Sequence, residues 1–251
     1  MPRKFRKDFI FLALIFCFLA FSNGCVTIYN PATGKNEFIF ITTEEEVALG
    51  YRLSQQIKKD MNLLYDEQMR ARLEKIGQKL ADVSDRKDLR YKFNIVDDEE
   101  FNAFALPGGF IYVNSGLMKA ANDDELACVL GHEIGHVAAR HGVKRLQANL
   151  GYQLIVNIAL GRSSAESILQ VLDITYNIIA LGYSRQDEFL ADKLAVKYAK
   201  LAGYNPYGMV TFFKKMEQNK KPGVELVFLS SHPPLKERIK RVEEEISLLA
   251  K

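Results

Sequence analysis

The sequence predicts an α+β fold dominated by helix, with one small sheet. Three observations carry that prediction. An alternating run, Tyr91, Phe93 and Ile95, has the period of a half-buried strand. Two short β-prone runs follow, Asn102 to Leu106 and Phe110 to Val113, around Pro107-Gly108-Gly109, a hairpin-like signal. From Ser115 onward nearly every segment has helical periodicity, so few strands sit among many helices. At 251 residues, 48% hydrophobic and 26% charged, the chain can bury an ordinary core.

Residues 1–24 read as an export signal. Arg3, Lys4, Arg6 and Lys7 precede an uninterrupted apolar run from Phe9 to Phe21. As a helix that run spans roughly 20 Å, too short for a bilayer core of about 30 Å. Those four basic residues against Asp8 account for the whole formal charge of +3, so the remainder is neutral and has no nucleic-acid footprint. Ser22-Asn23-Gly24-Cys25 comes next and resembles a bacterial lipobox, although Ser22 and Asn23 stand where Leu and Ala or Ser are usual. Cys25 is then the acylated first residue of the mature chain. Cys128 is left as its one free thiol, without a disulfide partner.

Residues 25–42 read as a lipid-attached tether with turns at Asn30-Pro31 and Thr33-Gly34, and residues 43–251 as one domain. Thr43 is a plausible N-cap for the first helix, EEEVALGYRLSQQIKKDM, and a second helix runs from about Gln68 to Val83. After the strands, helices are expected at about 123–141, 143–160, 165–181, 184–202, 206–219 and 235–249. The second and third of these are apolar. Gln153, Asn157, Asp173 and Asn177 interrupt them, which favours a buried or interfacial hairpin over membrane spans.

Chemistry concentrates in the helix of residues 123–141. Asn122 is a good N-cap with Glu125 three residues on, and Gly142 is a good stop. Inside it, His132-Glu133-Ile134-Gly135-His136 is H-E-x-x-H, with both imidazoles on one face and able to reach one ion. Glu133 points to the side, where a base that takes a proton from water belongs. Burying three ionisable groups among Leu126, Val129, Leu130, Ile134 and Val137 is costly unless they bind something, and zinc is the expected ion.

A catalytic zinc wants a third protein ligand and an open fourth position. His141, five residues past His136 and about 140° round the helix, is expected to face elsewhere and meet the helix-end carbonyls. Cys128 is expected to pack. In SRQDEFLADKLAVKYA, Glu188 and Asp192 lie four apart and share a helix face. Glu188 is the expected ligand, Asp187 the fallback, and Asp192 can hold a ligand imidazole by its free N–H.

These motifs together resemble the gluzincin metallopeptidases related to HtpX and the CAAX prenyl proteases, above all their small periplasmic lipoprotein members. The likeness extends over most of the chain: Cys25 followed by NPATGKNEF, EEEVALG, NAFALPGG with IYVNSGL, DDELACVLGHEIGHVAARH, SRQDEFLAD and SSHPPLKER. It implies a zincin-like domain with a small sheet beside the active-site helix. His132, His136 and Glu188 would bind one zinc, Glu133 would be general base and proton donor, and Asp192 would orient a zinc histidine. Asn102, Ala103 and Phe104 would pair with an extended substrate backbone. His232 would stabilise the oxyanion or act as a reversible fourth ligand, with Arg238 supporting either role. HtpX and the prenyl proteases are multi-pass membrane proteins, and this chain lacks adequate spans, so their specificities do not carry over. The expectation is a zinc endopeptidase for extended or misfolded envelope proteins, lipid-anchored in a bacterial periplasm. Val26 after Cys25 favours the outer membrane. The rival is an assembly factor or chaperone that holds clients over a gated zinc site. Oligomeric state is left open.

Overall fold

In the computed structural model, residues 27–150, 152–164, 166, 167, 169–171, 173, 175, 176, 182–218, 232 and 235–249 are described. The expected signal and Cys25 lie outside them, as does much of the expected helix 165–181.

Residues 27–38, within the expected tether, form a hairpin around the expected turn. β1 (Thr27–Asn30) and β2 (Lys35–Phe38) form an antiparallel hairpin. Its turn is closed by the Asn30 carbonyl, which accepts from the N–H groups of Thr33 and Gly34, and Gly34 takes φ +67°. The hairpin is pinned to the body: the Phe40 N–H donates to Gln147 Oε1 at 2.7 Å, and Lys144 pairs with Glu37.

α1 (Thr43–Asp60) starts on the capping box of Thr42 with Glu45, one residue before the expected cap. α2 (Glu67–Val83) is capped by Asp66. β3 (Lys92–Val96), β4 (Ala103–Leu106) and β5 (Phe110–Asn114) make a three-stranded sheet in the order β3-β5-β4. β3 runs parallel to β5 and β4 antiparallel to it. The predicted hairpin is therefore present, and β4 is an edge strand. Its turn, Pro107–Gly109, needs both glycines, at φ +74° and +88°. α1 lies backbone to backbone on that turn, because a Cβ on Gly50 would stand 1.8 Å from the Pro107 carbonyl oxygen.

The rest is helical: α3 (Ser115–Ala120), α4 (Asp123–Ala138), α5 (His141–Leu150), α6 (Tyr152–Ala159), α7 (Arg185–Leu201), α8 (Gly208–Gln218) and α9 (Leu235–Leu249). Among the described residues no helix is long and apolar enough to cross a membrane. α4 is the central element, buried throughout from Leu126 to Ala138. It rests on α7 through Gly131 and Gly135, where an added Cβ would come within 3.2 and 3.1 Å of α7 backbone atoms at Ala195 and Ala191. Gly131, just before the H-E-x-x-H segment, and Gly135 inside it thus let two helices approach closely enough for side chains from both to meet at one point.

One expectation is corrected. The helix of H-E-x-x-H stops at Ala138 because Arg140 adopts φ +55°, and Gly142 lies inside α5 instead of ending α4. The helix expected at 143–160 falls on α5 and α6, residue 151 between them lying outside the described residues.

Candidate active site

His132, Glu133 and His136 come from α4, Glu188 and Asp192 from α7, His232 from the segment before α9, and Arg238 from α9. All seven are buried. The two histidine Nε2 atoms are 3.0 Å apart, and Glu188 places Oε2 3.5 Å from His132 Nε2 and Oε1 3.4 Å from His136 Nε2. His232 Nδ1 lies 3.3 Å from His132 Nε2 and 2.9 Å from Glu188 Oε1. One donor atom from each of these four residues falls within 4.8 Å of the others. A tetrahedral zinc with bonds of about 2.0–2.1 Å holds its ligand atoms about 3.3 Å apart. The donor set therefore fits one such ion.

Asp192 Oδ1 accepts from His132 Nδ1–H at 2.9 Å, which directs Nε2 toward the other donors; burial disfavours the charged imidazole, but Asp192 and Glu188 raise it to about 9, and an ion at Nε2 would displace that proton. Arg238, fully buried, ties the pieces together. It donates through Nε and Nη2 to Asp192 at 2.7 and 2.6 Å and through Nη1 to the His232 carbonyl at 2.7 Å. Its Nη1 also lies 3.0 Å from Glu188. Its guanidinium sits over the Phe213 ring, 4.7 Å from the centroid. The sequence left the role of Arg238 open, and the structure makes it the hub that holds α9 and His232 against α7.

Glu133 stands apart chemically. Its Oε1 is buried without a hydrogen-bond partner among the described residues, with His232 Nε2 at 3.8 Å. Burial pushes its carboxyl up to about 8; nearby Glu188 raises it too, while His132 and Arg238 oppose. Glu188 is driven the other way: burial disfavours its charge, but His232, Arg238 and the two α4 imidazoles hold it well below the carboxylate range. Two neighbouring carboxyls with opposite shifts divide the roles of proton carrier and permanent anion. Burial lowers His136 to about 3, keeping it neutral, the form that ligates metals.

His141 does not face elsewhere. Because α4 breaks at Arg140, the angle expected from a continuous helix does not apply, and His141 Nδ1 lies 2.8 Å from His136 Nδ1. Its Nε2 is 3.3 Å from Asp187 Oδ1. Asp187, the fallback ligand, lies outside the donor cluster; its Oδ2 caps α7 with Ser184. If His136 presents the Nε2 lone pair, its Nδ1–H donates to His141 Nδ1, and His141 Nε2–H donates to Asp187. Tyr183, another residue sequence reasoning missed, stacks on His136 with centroids 4.1 Å apart. Cys128 packs as expected, its Sγ against the Asn205 and Pro206 carbonyls and its thiol pushed up to about 12 by burial.

On the edge strand, Phe104 stacks on Tyr112 at 5.0 Å and α4 packs alongside. The Asn114 N–H donates to the Asn102 carbonyl, and the register pairs Phe104 with Tyr112. Alternation in an antiparallel ladder then turns the backbone groups of Asn102 and Phe104 inward and those of Ala103 and Ala105 away from β5, where Ala103 is covered at 1% exposure and Ala105 is half-buried. Of the three expected substrate-strand residues, Ala103 is thus the one whose backbone faces away from β5, and Ala105 joins it.

A buried two-histidine, one-glutamate donor set on two packed helices, beside a further buried glutamate and a sheet-edge strand, defines a zincin-like metallopeptidase domain. Residues 67–246 match the family model of peptidase family M48, and the chain belongs to that family. It is 27% identical to the mitochondrial metalloendopeptidase OMA1 of Schizosaccharomyces pombe, across 97% of this chain and 73% of that protein. It is 32% identical to the metalloprotease YcaL of Escherichia coli, across 70% and 69%. The beta-barrel assembly-enhancing protease of Yersinia pestis is 25% identical, across 81% of this chain and 44% of the relative.

Proposed function

We infer that this chain is a zinc-dependent endopeptidase that cuts extended or misfolded cell-envelope proteins, lipid-anchored through Cys25 in a bacterial periplasm, on the outer membrane by preference. The observation that carries the peptidase reading is the donor set of His132, His136 and Glu188 at tetrahedral spacing next to the orphaned carboxylate of Glu133. When bound, zinc supplies a Lewis acid that polarises a carbonyl and acidifies water. Glu133 takes the proton at its free oxygen and delivers it to the leaving amine, and the Ala103 and Ala105 backbones hold the substrate as an added strand. The relative named as a metalloprotease supports the peptidase reading, and the one named as a beta-barrel assembly-enhancing protease supports a role in handling envelope proteins. The test is hydrolysis of casein by the zinc-loaded chain beside Glu133→Gln; stoichiometric zinc with no cleavage by either would overturn it.

A second reading, a client-holding protein with a shut site, is favoured by the position of His232 Nδ1 among the other three donors. There it would occupy the corner that water needs. Cleavage that appears only in His232→Ala would make this the resting state.

Ala105→Pro should remove an outward N–H without breaking the ladder, since proline is tolerated on an edge. We expect kcat/KM for long unfolded substrates to fall at least about tenfold, the worth of one to two backbone hydrogen bonds, with zinc content and Tm unchanged. His141→Phe should lower zinc affinity about 10- to 100-fold in chelator competition, because His136 loses the acceptor that orients it. His141→Gln, whose amide oxygen can accept the same proton, should restore most of it.

A further inference from the structure

The hairpin at residues 27–41 has its side chains arranged against the usual pattern. Register places Thr27 opposite Phe38 and Tyr29 opposite Asn36, so these four share a face, and all four are exposed. The alternation continues to Ile41: Ile39 and Ile41 are buried, and Phe40 points out. Strand faces that look away from a core are ordinarily polar. Here the outward positions hold Tyr29, Phe38 and Phe40, 61%, 45% and 41% exposed, with no charge among Thr27, Tyr29, Asn36, Phe38 and Phe40, while Glu37 is turned inward to Lys144. Phe38 and Phe40 meet edge to face at 4.7 Å, and Tyr29 lies on the same face of the hairpin.

What covers this patch follows from its place in the chain. Thr27 is two residues from Cys25 and six from the end of the apolar run Phe9 to Phe21. Two residues reach at most about 7 Å. An acyl group on Cys25 therefore leaves the hairpin no room to stand clear of the lipid headgroups, and a retained apolar run would constrain it almost as closely. We propose that the Tyr29, Phe38 and Phe40 face is a membrane-docking surface that lies in the headgroup region of the anchoring bilayer, as aromatic belts do. The proposal rests on the anchoring part of the reading above. The hairpin is tied to α5 at Lys144 and Gln147, and six residues of helix, about 9 Å, separate Gln147 from His141 beside the metal cluster. Docking so holds the catalytic cleft close to the membrane and in a fixed orientation, suited to clients emerging from or entering the bilayer.

The chain contains no tryptophan, so a single introduced indole reports on its own site. Phe38→Trp, Phe40→Trp and, as a control, Tyr65→Trp, at a position 80% exposed on the loop before α2, are to be made in the full chain. Each is reconstituted in vesicles of phosphatidylethanolamine and phosphatidylglycerol. Docking predicts blue-shifted emission from the two hairpin indoles. Lipids brominated near the headgroup should quench them at least threefold more strongly than the indole at position 65. Vesicle-bound protein with water-like, unquenched hairpin indoles would overturn docking and leave the anchor standing. Blue-shifted indoles that brominated lipid does not reach would overturn it in favour of a second copy or a client on this face. Failure of the full chain to float with the vesicles would remove the anchor reading and docking with it.

Discussion

Glu133→Gln is expected to keep zinc bound and to lose about 10²- to 10⁴-fold in casein hydrolysis, the range one positioned acid–base group contributes. The substitution changes almost nothing else. Glutamine is isosteric, Glu133 Oε1 makes no hydrogen bond to be lost, and the carboxyl is not among the four residues that converge on the ion site. An amide cannot take a proton at neutral pH, so the loss should appear in kcat and leave KM little changed. Thermal stability should hold or rise slightly, because a buried carboxyl pushed up to about 8 gives way to a neutral group. Equal activity in both proteins would remove Glu133 from the mechanism.

Arg238→Met is expected to be the most destabilising single change at the site. Arg238 is wholly buried, and its donors serve Asp192, the His232 carbonyl and Glu188. Methionine fills much of the volume but leaves two buried carboxylates uncompensated, which typically costs about 3–5 kcal/mol. For a chain of this size that lowers Tm by roughly 10 °C. Two comparisons isolate the cause. Saturating zinc should recover part of the loss, since the ion balances Glu188. Adding Asp192→Asn should cost less on top of Arg238→Met than alone, the signature of a broken pair. Additive losses would mean that Arg238 acts through packing on Phe213.

What could be read in advance follows from how local each signal is. The cap at Asn122, the turn glycines Gly108 and Gly109 and the alternation of β3 involve residues a few positions apart, so their geometry is set by the segment itself. The same holds for His132 and His136, one helical turn apart. His141 was misjudged because a single residue, Arg140 at φ +55°, ends α4 where the pattern called for continuation, and a non-glycine residue in that region gives no sequence signal. Arg140 is held by Glu46 and Thr43 of α1, nearly a hundred residues away. Arg238 was read only as supporting His232, because the carboxylates it binds, Asp192 and Glu188, lie on another helix far back in the chain.

The sequence by itself determined the chemistry: which side chains can bind an ion, which can carry a proton, and on which helices they ride. Those are properties of residue type and helical spacing, and both are short-range. Only the tertiary structure decided that Glu188 reaches the α4 histidines, that His232 sits within 3.3 Å of His132, and that Arg238 joins three segments. Each depends on how closely α4, α7 and α9 approach. That distance is set by packing of Gly131 and Gly135 on α7 and by the need to neutralise buried carboxylates, conditions met only once residues far apart in the chain share one core.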